Sequence, residues 1–232
     1  MQYIIVYKET NTDIFHYSFL IIHSFHLSYN QKHILIHNSE TGYNTIAEQY
    51  GAYHKHLDGF DKGVFVKFLP RNKENLSIID LGAGDGRLYK SLSPLTPTRY
   101  VACDIAEKLL NRHPGKNVEK IVCDLEDTLP FDDESFDLAT SFFVLEHIED
   151  IYNLFSETYR ILKPGGMLII GHFIQRREFV WKKDKDQFRI KFFNHRLQDI
   201  EKLLTKSYFD LHVIPIREKW NIIGHILICT KT

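Results

Sequence analysis

Cysteine is scarce in this chain: three residues among 232, Cys103, Cys123 and Cys229, with no CxxC spacing between them. A disulfide framework and a cysteine-based metal or redox centre are both excluded as expectations. Cys103 and Cys123 fall in the apolar runs 100–103 and 118–123, where a free cysteine behaves as a small buried hydrophobe. Reduced thiols and a cytoplasmic setting follow from that reading. An excess of charge is also missing, since 29 Lys and Arg face 30 Asp and Glu, a formal net charge of -1. Nothing global steers such a chain to nucleic acid or to an anionic membrane. A long hydrophobic run is missing too. Residues 15–27 (FHYSFLIIHSFHL) are apolar but carry three histidines and are too short to span a bilayer. They lack the basic start and small-residue cleavage site of a secretory signal. There is no internal repeat and no low-complexity tract. What is there, 44% hydrophobic and 25% charged residues, is the balance of a soluble globular domain able to bury a substantial core.

Two regions differ in pattern. Residues 1–42 read as an N-terminal extension, either an added hairpin or translated sequence upstream of the functional start. Residues 43–232 read as one domain. Helical segments are expected over 45–57 and 60–69, stopped at Pro70. Residues 76–81 (LSIIDL) form a short apolar run that breaks into glycines, as a buried parallel strand should. Strand candidates follow at 99–103, 118–123, 136–143 and 167–170. Between them, helices are expected at 87–93, 106–111 and 150–163, the last ended by Pro164-Gly165-Gly166. Strands alternating with helices imply βαβ units. After a helix at 197–204, the runs 209–216 and 222–230 are separated only by a short polar stretch, so they are expected to pair as an antiparallel hairpin. The expected fold is α/β, Rossmann-like and doubly wound, with a mostly parallel seven-stranded sheet that the hairpin closes.

The informative stretch is IIDLGAGDGR, residues 78–87. Glycines at 82, 84 and 86 after a buried strand let the backbone turn tightly and approach a ligand. A dinucleotide loop would read GxGxxG with a small residue at 87; here the spacing is GxGxG and Arg87 follows, which disfavours a nicotinamide oxidoreductase. Asp104 ends the second strand about twenty residues on, where an acid accepts ribose hydroxyls in such folds. Asp124 ends the third in the same manner. The alternative for Asp104 is a solvated turn or a helix cap.

Four blocks, IIDLGAGDGR (78–87), ACDIAEKLL (102–110), LPFDDESFDLATSFFVLEHIED (129–150) and LKPGGMLII (162–170), resemble the type 11 group of class I S-adenosylmethionine-dependent methyltransferases. The resemblance covers residues 43–173 and, more loosely, the remainder. It implies that S-adenosylmethionine is bound with Asp80, Gly82, Ala83 and Gly84 around its methionine part. Asp104 would hold the ribose, Ile105 and Leu125 would flank the adenine, Asp124 would accept from the adenine amino group, and Phe142 would line the methionine side. Asp85 departs from the threonine frequent in that group, and it can cap the following helix.

Tyr50 lies in a stretch like that group's helical lead-in. It could face the sulfonium, with a cation–π attraction, or simply the core. Methyl transfer is an in-line displacement that positioning alone can drive. A hydroxyl acceptor would profit from a general base, and His147 and His172, after the fourth strand and at the end of the fifth, are the candidates; His147 can equally be structural. No metal site is expected, because His54 and His56 are two apart on a helix and His23, His26, His33 and His37 fall in the extension. The stretch 176–191 (RREFVWKKDKDQFRIK) mixes basic and aromatic residues. It reads as a solvated segment over the site with its aromatics inward, or as a nucleic-acid surface. The expected function is methyl transfer to a small-molecule acceptor. An RNA methyltransferase using 176–191, or a catalytically silent binding protein of the same fold, are the alternatives.

Overall fold

In the computed structural model the described residues are 34–54, 57, 59–70, 74–174 and 179–232, and residues 34 to 232 make one compact unit. The apolar run 15–27 and the histidines at 23, 26, 33 and 56 lie outside the described residues. Strands β2 (Ser77–Leu81), β3 (Arg99–Asp104), β4 (Glu119–Val122), β5 (Phe136–Phe142), β6 (Leu162–Phe173), β9 (Phe209–Glu218) and β10 (Asn221–Lys231) build one sheet in the order β4-β3-β2-β5-β6-β10-β9. The first five run parallel, and β10 lies antiparallel between β6 and β9. The expected sheet and its closing hairpin are both present.

Side chains of a strand alternate between faces, and β2 shows the consequence. Ile79 and Leu81 enter one apolar cluster, Ile78 the other, and all three are fully buried. The first face is covered by α5 (Ile151–Ile161) and α6 (Leu197–Lys206). Asp150 caps α5, accepting from the Tyr152 and Asn153 N–H groups, and its apolar stripe Ile151, Leu154, Phe155 and Ile161 is buried. Each such side chain contributes about 1.5–3 kcal/mol of burial. The second face is covered by Phe60, the 3₁₀ turn Phe65–Phe68, and Leu88 and Leu92 around α3 (Tyr89–Leu92). A short helix α4 (Glu107–Leu110) follows β3.

Three elements depart from expectation. The lead-in helices are α1 (Ser39–Ile46) and α2 (Tyr50–His54), and α1 begins six residues before 45 because Asn38 caps it, its Oδ1 accepting from Thr41 N–H at 2.8 Å. Strand β1 (Leu35–His37) pairs in parallel with β8 (Asp186–Ile190), which forms a hairpin with β7 (Trp181–Lys183). The compositional break at Tyr43 therefore falls inside α1, and residues 35–42 pack with the domain. In the basic stretch, residues 175–178 lie outside the described residues; beyond them Trp181, Phe188 and Ile190 are buried against Ile46. The third departure is Cys103 and Cys123. Strand β4 runs beside β3, Cys123 N–H bonds to the Asp104 carbonyl, and the two cysteines meet as a disulfide with Cα atoms 6.0 Å apart. Spacing along the chain gave no sign of that neighbourhood, and the cytoplasmic argument from reduced thiols goes with it. Cys229 is free and buried. Among the described residues no helix is long and apolar enough to cross a membrane.

Candidate active site

The glycine loop leaves β2 through Gly82 at φ 73°, a left-handed conformation that favours glycine, and a Cβ there would collide with Val144. Gly82 and Ala83 both donate N–H bonds to the Cys103 carbonyl, at 2.8 and 3.0 Å, which ties the loop to the end of β3. Asp104 completes the tie. Its Oδ2 accepts from Gly84 N–H and its Oδ1 from Ala106 N–H, each at 2.8 Å. A carboxylate offers about four acceptor sites, and with the Ile105 main chain also bonding to it, acceptor capacity still remains. Burial pushes the Asp104 carboxyl above its ordinary pKa, and the main-chain bonds only partly oppose that. A buried acid still short of donors suits a diol.

The Asp104 carboxylate faces a cavity of about 260 Å³ at the C-terminal edge of the sheet. The structure brings Tyr50, Gly82, Gly84, Asp104, Ile105, Asp124, Leu125, Phe142 and His147 together around it. Ile105 and Leu125, with Leu109 and Ile148, give it apolar walls, and Asp124 Oδ1 accepts from Glu126 N–H at 2.9 Å. Three residues named from sequence are placed elsewhere. Asp80 sits below the loop, where its Oδ1 accepts the Thr140 hydroxyl at 2.7 Å and burial pushes its carboxyl up to about 7. Ala83 turns into the second apolar cluster. His172 belongs to a different cavity, stacked on His225 with ring centroids 5.9 Å apart.

His147 is engaged on both nitrogens. Nδ1 meets the Lys191 carbonyl at 3.2 Å, and Nε2 meets the Tyr43 hydroxyl at 2.6 Å. A carbonyl only accepts, so the hydrogen is assigned to Nδ1 and Nε2 accepts from Tyr43. Burial lowers the His147 pKa to about 4, which keeps the ring neutral. The arrangement orients Tyr43 rather than leaving a free base. Tyr43 and Tyr50 meet edge to face at 5.7 Å, and burial pushes the Tyr50 hydroxyl up to about 12.

Sequence reasoning assigned no role to two further residues. Arg87 lies over the Phe143 ring at 4.8 Å with its Nη1 unpartnered. Glu146 is 8% exposed, with Oε2 unpartnered and its carboxyl pushed up to about 7 by burial. Glu146 stands inside the quoted V-L-E-H block, but nothing in that block tells which way its side chain turns. Among the described residues no group of His, Cys, Asp and Glu is placed to hold a metal ion.

Residues 79–170 match the family model described as a methyltransferase domain. The chain is 28% identical over 173 residues to the ubiquinone/menaquinone biosynthesis C-methyltransferase of Rickettsia prowazekii, covering 67% of each chain. It is 32% identical over 106 residues to the demethylmenaquinone methyltransferase of Tropheryma whipplei, covering 44% of each. The match thus spans two thirds or less of these relatives. Among solved structures, the S-adenosylmethionine dependent methyltransferase from Mesorhizobium loti superimposes with a TM-score of 0.59 at 18% identity, covering 74% of this chain and 97% of that one.

Proposed function

Because the chain is a member of the type 11, class I methyltransferase family, we propose that it transfers a methyl group from S-adenosylmethionine to a small-molecule acceptor. The bound cofactor supplies an electrophilic methyl carbon on a sulfonium leaving group. The chain's own work is binding, orientation and exclusion of water. Asp104 holds the ribose diol with its remaining acceptor capacity, Ile105 and Leu125 flank the adenine, and Asp124 takes the adenine amino group. Gly82 and Gly84 let the methionine part lie close to the backbone, beside Tyr50 and Phe142. Asp80 and Ala83 act from below, fixing the loop rather than touching the cofactor. Tyr43, held by His147, closes the side next to Tyr50.

The observation that carries this reading is the buried Asp104 carboxylate, pinned by two loops and still open to donors. The GxGxG spacing and the antiparallel β10 disfavour a nicotinamide cofactor. An RNA acceptor is disfavoured by the basic stretch itself, since Trp181 and Phe188 are buried against Ile46 and not displayed for base stacking. Names among the relatives point to small-molecule acceptors, which agrees with cavities of a few hundred Å³. Calorimetry is the test. S-adenosylmethionine and S-adenosylhomocysteine are expected to bind at micromolar levels and NAD far more weakly. Tight NAD binding without response to either sulfur ligand overturns the proposal, and cofactor binding with no methyl transfer to any small acceptor supports the silent alternative.

A further inference from the structure

A second cavity, of about 210 Å³, opens beyond the C-terminal end of β6, between His225 of β10 and residues 192–197. Three buried side chains line it with a polar atom that lacks a partner: Glu146 Oε2, His172 Nδ1 and His225 Nδ1. They are 8%, 8% and 7% exposed. One such group costs about 1–3 kcal/mol when left unmade, so three around one space mark a place where something else supplies the bonds.

The chemistry of the three narrows what that is. His172 donates to the His195 main chain. Since its Nδ1 is unpartnered, the donor is Nε2, and Nδ1 of the neutral ring is a bare acceptor. An ionised carboxylate also only accepts. Among the described residues no ion pair to Glu146 is formed: Arg196 at the rim is taken by Asp199 at 2.8 Å, and Arg87, which lines the neighbouring space, lies over the Phe143 ring. Burial depresses both histidines, His172 to about 4, so neither is charged at neutral pH. The remaining walls include Leu145, Phe173, Ile174, Phe192 and Phe193. A hydroxyl would satisfy a hydrogen bond here yet leave the carboxylate charge unbalanced in an apolar surround. At pH 8, above the value of about 7 to which burial raises Glu146, a ring carbonyl would set acceptor against acceptor at Glu146 and at His172 Nδ1. A protonated amine satisfies both requirements.

Glu146 also lines a narrower space whose walls Tyr43, Tyr50, Phe143 and His147 are shared with the cofactor cavity. We propose that this cavity is the acceptor site and takes a protonated amine, its ammonium on Glu146 and His172 and its apolar body against the phenylalanines. Glu146 is placed to receive the ammonium proton: the carboxylate becomes a carboxylic acid and the nitrogen regains its lone pair. The word acceptor rests on the methyltransferase reading; the amine site does not.

The test uses the full chain saturated with S-adenosylhomocysteine, with 2-phenylethylamine, 2-phenylethanol and hydroquinone titrated by calorimetry at pH 8. The amine is expected to bind at least about tenfold tighter than the alcohol. Glu146→Gln is expected to erase that preference while leaving S-adenosylhomocysteine affinity within about twofold and the melting temperature no lower than the parent's. His172→Phe is expected to weaken the amine more than the alcohol. No amine binding, an alcohol or hydroquinone that binds as tightly, or a preference that survives Glu146→Gln overturns the proposal. Amine preference without any S-adenosylhomocysteine binding keeps this site and removes the methyltransferase reading.

Discussion

Asp104 accepts main-chain bonds from two different loops, so replacing it acts on folding as well as on binding. Asp104→Ala removes charge-assisted bonds to the cofactor, and about 2–4 kcal/mol of binding is expected to go with them. Calorimetry should read roughly 30- to 1000-fold weaker S-adenosylhomocysteine. The melting temperature should fall too, because Gly84 and Ala106 N–H groups lose a buried acceptor. Asn is not a neutral replacement, since its amide hydrogens face one of those two donors. Asp133→Ala is the control: its side chain is 74% exposed and pairs with Arg160 at 2.8 Å, so neither affinity nor stability should move much. Glu146 gives a second effect at this scale. Its carboxyl is raised from 4.5 to about 7, so the native state holds this proton more tightly than the unfolded chain. The stability it contributes is full below pH 4.5 and is lost as pH rises through 7. Glu146→Gln removes that slope. Its stability advantage over the parent, read from thermal melts, should widen from pH 5 to pH 8, approaching about 3 kcal/mol at most. The groups around Glu146 are Tyr43 of α1, Arg87 before α3, His172 of β6, His195 and Arg196 before α6, and His225 of β10. His147 and His172, depressed to about 4, lose their contribution as pH falls from 6.5, the opposite sign. The difference between parent and variant isolates Glu146 from them. A constant difference across that range would contradict the buried carboxylate.

At the scale of elements, the inner strands of the main sheet were legible because a strand buried on both faces is an uninterrupted apolar run. Residues 76–81 and 136–143 are of that kind. Strands β1, β7 and β8 were not, because they are short and half exposed, with Lys182, Lys183 and Asp186 interrupting any period. The loop glycines and Asp104 and Asp124 could be placed from spacing, since parallel strands deliver their ends to one edge. Glu146 and His172 could not, because their surroundings come from residues 192–197, far along the chain. The small sheet yields a test. A chain beginning at Ile34 keeps the β1–β8 pairing and the Asn38 cap, whereas one beginning at Ser39 loses both. The cap alone is worth about 1 kcal/mol. Thermal melts should rank the second below the first, with S-adenosylhomocysteine affinity falling as well because α1 carries Tyr43. Equal melts would show that β1 and the cap contribute nothing.

For the whole molecule, the position of β10 carries a consequence for how the chain is made. Strand β10 is last in sequence but interior in the sheet, with β6 on one side and β9 on the other. Its final residues also hold the sheet's end, as Lys231 Nζ donates to the Leu162 carbonyl at 2.7 Å. On the ribosome, β6 and β9 therefore wait with open edges until residues 221–231 have left the exit tunnel. Such edges are templates for wrong pairing. A released chain cut after residue 220 should leave both edges open to proteases and chaperones, whereas one that carries residues 221–231 should close the sheet. The main sheet is thus one that closes only once β10 is free of the ribosome.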